Sequence, residues 1–80
     1  MAYVPDRIAH DIARQTLTCF EVGNLYSGSS LPDIARVVRD ILADEGLSTR
    51  WSLCLMIAKR ARYMWHARIR CTQAYVGSAS

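Results

Sequence analysis

Apolar residues recur at helical spacing in three stretches of the chain. Ile8, Ala9, Ile12, Ala13, Thr16, Leu17 and Phe20 form one face of a helix over about residues 5–22. Pro5 suits its first turn and Asp6 its positive end, and Gly23-Asn24 should stop it. Residues 23–31, GNLYSGSSL, read as a loop from which Leu25 and Tyr26 tuck into the core.

Ser30-x-x-Asp33 resembles a capping box with Pro32 in the first turn. Ile34, Val37, Val38, Ile41 and Leu42 follow at i, i+3, i+4, i+7 and i+8, which predicts a helix over about 32–45 ended by Gly46. Arg36, Arg39, Asp40 and Asp44 fall on its outer face as ordinary solvated charge.

Ser48 or Thr49 should cap a third helix over about 49–71. Trp51, Cys54, Ala58, Ala61, Trp65 and Ile69 lie on one side of it, with Leu53, Ile57 and Met64 adjoining. Its first two turns are apolar nearly all round and should be the most buried part of the fold. After Cys71 the segment TQAYVGSAS contains two β-formers and ends in small residues, which predicts extended or fraying chain at Ala74–Val76 and a tail at 77–80. The expected fold class is all-α, a single small three-helix domain over 1–80, with a long central C-terminal helix and a short extended tail.

Composition agrees with a folded chain: 80 residues are 51% hydrophobic and 21% charged, with four Gly and two Pro. So apolar a chain, at this length, leaves apolar surface to spare, and a homodimer or docked partner is a reasonable expectation. Cys19, Cys54 and Cys71 are odd in number and show no metal-ligand spacing. Free, mostly buried thiols in a reducing, cytoplasmic setting fit better than disulfides or zinc. MAYVPDRIAH lacks the apolar core of a signal peptide, and the uncharged, largely apolar run from Trp51 to Ala58 is too short to span a bilayer.

The net charge of +3 conceals a division. Residues 1–46 hold all seven acids against four arginines, whereas residues 47–80 hold Arg50, Lys59, Arg60, Arg62, Arg68 and Arg70 and no acid. This asymmetry points to pairing between the halves or to a partner with an acidic surface. Lys59, Arg62, Tyr63, His66 and Arg70 share one stripe of the third helix at spacings of three and four, flanked by Arg60 and Arg68. Arginine heads pair with phosphate or carboxylate and a tyrosine ring offers stacking, so these residues with Arg50 are the candidate binding set. The bland alternative is a solvated face whose arginine stems cover apolar neighbours and whose heads pair with the acidic N-terminal half.

No enzyme constellation is visible. His10 and His66 have no positioned acid, and Asp40, Asp44 and Glu45 read as solvation of a helix end rather than general acid–base or metal chemistry. No nucleotide-binding, nucleophile-elbow or metalloprotease motif occurs, so no catalytic residue, cofactor or metal is expected.

The segment ILADEGLSTRWSLCLMIAKR is similar to a helix-turn-helix over about twenty residues, with Gly46-Leu47-Ser48 standing at the turn. Leu42 and Ser52 depart from its small and apolar positions. That resemblance implies a DNA-binding regulator, dimeric, as the alternative function. The leading expectation is a small non-enzymatic helical regulator or inhibitor acting on a larger protein or nucleoprotein machine. Its size and lack of chemistry suit phage or mobile-element anti-host or anti-defence proteins. The partner is then an acidic protein surface, or DNA or RNA through its phosphates, and not a membrane, since Lys is nearly absent and the apolar face is needed for the core. A last alternative reverses the polarity, with Asp33, Asp40, Asp44 and Glu45 engaging a basic groove as a nucleic-acid mimic.

Overall fold

The computed structural model describes residues 4–79, with side chains through Cys71. Three helices follow one another: α1 (Asp6–Glu21), α2 (Leu31–Asp44) and α3 (Trp51–Ala79). Each packs against the other two. Among the described residues there is no strand.

The helix ends follow local chemistry. Pro5 flanks α1 rather than entering it, and its carbonyl accepts the Ala9 N–H at 3.0 Å. Ser30 caps α2 through its side chain, which accepts from the Asp33 N–H at 3.4 Å, and Pro32 lies in the first turn, where no N–H is needed. Gly46 closes α2 at φ 71°. Its N–H reaches the Ala43 carbonyl and the Leu47 N–H reaches that of Leu42, a Schellman pair. Gly23 plays the same part after α1 at φ 90°.

α3 departs from expectation at both ends. It begins at Trp51, because Ser48 spends its hydroxyl on the Arg50 N–H at 3.4 Å, so that Arg50 becomes the flanking residue and its carbonyl accepts from Cys54. At the other end the backbone stays helical to Ala79 instead of turning extended at Ala74–Val76. Propagating an existing helix adds a hydrogen bond per residue without the nucleation cost, and no proline interrupts it. The β-formers Tyr75 and Val76 gain nothing from extended chain when no strand among the described residues is there to pair with.

The core is built where the three apolar stripes meet. Ala9, Ile12, Ala13, Leu17 and Phe20 of α1, Ile34, Ala35, Val38 and Leu42 of α2, and Cys54, Ile57, Ala58 and Ala61 of α3 are buried, with Leu25 from the first loop. Five of these are alanines, whose small size lets the helix axes approach. Buried Thr16 turns its hydroxyl to the Ile12 carbonyl at 2.8 Å, so its polar atom is satisfied inside its own helix.

The start of α3 is less buried than its composition suggests. Trp51 is 40% and Met56 44% exposed, and Ser52 is exposed beside them. A helix apolar all round still meets only two shorter neighbours, which cover one side. At 1.5 Å per residue α3 measures about 44 Å against roughly 24 Å for α1. The molecule is accordingly elongated, 52 × 22 × 18 Å.

Candidate binding surface on helix α3

Which α3 side chains face outward follows from which face inward. Cys54, Ile57, Ala58 and Ala61 sit at zero exposure on the core side. Lys59, Tyr63, His66 and Arg70 lie on the far side and are exposed, with Arg62 half-buried at the edge. These five line one open basin of about 650 Å³, together with Ser27 and Ile69. Tyr63 stands 69% exposed among the cations. Among the described residues, none of Lys59, Arg62 and Arg70 has an acidic partner.

The remaining three basic candidates lie elsewhere. Arg60 turns to α1, where Nη2 meets Asp6 Oδ1 at 2.8 Å and Nη1 reaches the Asp6 carbonyl at 3.5 Å. Arg68 also turns to α1, with Nη1 3.5 Å from Glu21 Oε2 and its guanidinium 5.9 Å above the Trp65 ring. It borders a second, polar groove with Asp11, Arg14, Gln15, Thr18 and Glu21. Arg50 precedes α3, nine residues and about 13 Å of helix rise before Lys59, outside the basin. Pairing with the acidic half therefore accounts for Arg60 and Arg68 and leaves the basin cations to solvent.

One wall of the basin comes from the loop between α1 and α2. The Trp65 indole N–H donates to Ser27 Oγ at 3.3 Å, and His66 Nε2 lies 3.3 Å from the Ser27 carbonyl, a contact that requires the proton on Nε2. Trp65 also stacks on Phe20, with centroids 5.1 Å apart and planes 21° apart. That stack fixes the rotation of α3 about its own axis and so the direction its outer face presents. Ser27 carried no signal in the sequence beyond its place in a loop. Ile69, assigned there to the apolar side, lies at the basin's edge.

Two further sequence assignments need correction. Arg39 is not simply solvated: its guanidinium stands 5.9 Å from the centroid of the half-covered Trp51 ring. Tyr26 does not tuck into the core and is 68% exposed, whereas Leu25 does, at 4%.

The thiols occupy three environments: Cys54 buried, Cys19 half-buried, Cys71 exposed. Burial pushes the Cys19 thiol above its ordinary range. Burial does the same at Cys54, opposed by Arg39 and a backbone hydrogen bond. Among the described residues no three His, Cys, Asp or Glu side chains converge on a point a metal could occupy. No helix among them is long and apolar enough to cross a membrane.

Compared with protein-family models, curated proteins and solved structures, the chain finds no match in any of the three. The functional reading therefore stands on the geometry alone.

Proposed function

We propose that this protein is a non-enzymatic regulator or inhibitor that occupies an acidic surface on a larger protein or nucleoprotein machine through the outer face of α3. The observation that carries the reading is the division of the arginines. Arg60 and Arg68 are drawn to Asp6 and Glu21, while Lys59, Arg62 and Arg70 gather around an exposed tyrosine with no acid beside them among the described residues. Arginine and tyrosine are residue types enriched at binding hot spots, and a preformed helix presents them without a backbone ordering cost.

The alternative of a DNA-reading helix-turn-helix has less support. Six residues, 45–50, separate α2 from α3, where the motif has a turn of about three or four. The exposed positions at the start of α3 are Trp51, Ser52 and Met56, of which only serine carries a polar group suited to a base edge.

The test is affinity capture from nuclease-treated lysate of the source cells, comparing wild type with R62E/R70E. A partner retained by wild type and lost by the variant supports the proposal. Equal capture by both would reduce the basin to a solvated face.

A further inference from the structure

We infer that the outer face of α3 is a seam for an acidic amphipathic helix of a partner protein. This rests on reading that face as the docking surface, and names what docks there. Ser52, Met56, Lys59, Tyr63, His66 and Arg70 follow one another at alternating spacings of four and three. That is the spacing at which one helix lays side chains into the holes of another, here with Met56 and Tyr63 as its two apolar or aromatic members and polar or basic residues at the other four. All six are exposed.

The line begins at Ser52, offers apolar surface at Met56 and Tyr63 and carries its charge at Lys59 and Arg70, with Arg62 alongside. From Ser52 to Arg70 it runs about 27 Å, the length of a partner helix of about five turns. Its complement is a helix with apolar residues at seam positions to meet Met56 and Tyr63, flanked by Glu or Asp.

Charge separates this occupant from the others. A second copy would bring three cations from each chain together, with no carboxylate on either seam, and is repelled. A nucleic acid satisfies the cations but gives Met56 no apolar complement. Arg60 and Arg68, which would have lengthened a phosphate-tracking stripe, are turned toward α1.

The test uses a fluorescein-labelled three-heptad peptide with Leu at the seam positions and Glu on both flanks, whose mutual repulsion keeps it monomeric. A scrambled peptide of identical composition and a DNA duplex of similar length serve as comparisons, with binding read by anisotropy at physiological salt. The ordered peptide should bind at least about tenfold more tightly than either comparison, and Tyr63→Ala should cost it about tenfold. Circular dichroism verifies that the variant folds, and Met56→Ala provides a second, milder probe of the seam.

If the scrambled peptide binds equally well, the seam geometry is wrong although the basic face still docks acids. If the duplex binds best and R62E/R70E abolishes it, the face serves nucleic acid and the inference falls while the docking surface stands. If none of the three binds, both fall.

Discussion

Arg60 Nη2 lies 2.8 Å from Asp6 Oδ1, a pair formed across 54 residues of chain between the last helix and the first. It shows that the basic helix is not one uniform surface. The Asp6 carboxylate is 84% exposed, so solvent screens the attraction and the pair contributes little energy. What it supplies is direction, holding one arginine away from the side where Lys59, Arg62 and Arg70 collect.

Asp6→Asn should therefore lower stability by less than about 1 kcal/mol in urea denaturation. It should leave binding by the outer face unchanged. A larger loss would mean that the pair is structural.

Truncating the stack that orients α3 should cost more. Phe20 is buried to 5% exposure and stacks on Trp65, so Phe20→Ala should destabilise by about 3–5 kcal/mol. Ile57→Ala, at zero exposure, should cost about 2–5 kcal/mol. Denaturant midpoints with unchanged slopes would check both.

The three helices were legible in the sequence because each carries an apolar stripe of helical period, and the α1 and α2 boundaries fall within a residue of those expected. Burial at the start of α3 was not, since composition reports how apolar a turn is and not how many neighbours reach it. The helical course of 72–79 was hidden by β-forming residues whose preference counts only when a strand is available. At the candidate surface, periodicity placed Lys59, Arg62, Tyr63, His66 and Arg70 together. It set Arg60 and Arg68 on the flanks of that stripe but could not show that they turn to α1, because that depends on Asp6 and Glu21, residues distant in the chain.

Gly46→Ala should destabilise by about 1–2 kcal/mol. A Cβ there meets nothing within 4 Å, so the whole cost is that of φ 71° for a residue with a side chain. Gly46→Asn should cost less, because asparagine tolerates this region. Equal losses for the two would point to a steric cause instead.

Thiol chemistry should divide as the exposures do. Cys71 should react first with a thiol reagent in the native protein, and Cys19 and Cys54 only slowly, with all three reacting in denaturant. Because burial raises the Cys19 and Cys54 thiols above 9.0, the folded state keeps its protons where the unfolded chain gives them up. Their contribution to stability is complete below pH 9.0 and is lost as pH climbs through the raised values. Cys54→Ala should flatten that alkaline decline. An unchanged slope would assign the decline to other groups.

The most direct measurement compares two neutralised pairs, R62Q/R70Q and R60Q/R68Q, in the same partner-capture assay. Each removes two positive charges, so the overall field of the protein falls equally in both. R62Q/R70Q should lose the partner, while R60Q/R68Q should retain it with at most a modest fall in stability. Equal loss from both pairs would make binding a matter of net charge, and loss from R60Q/R68Q alone would place the working surface on the α1 side.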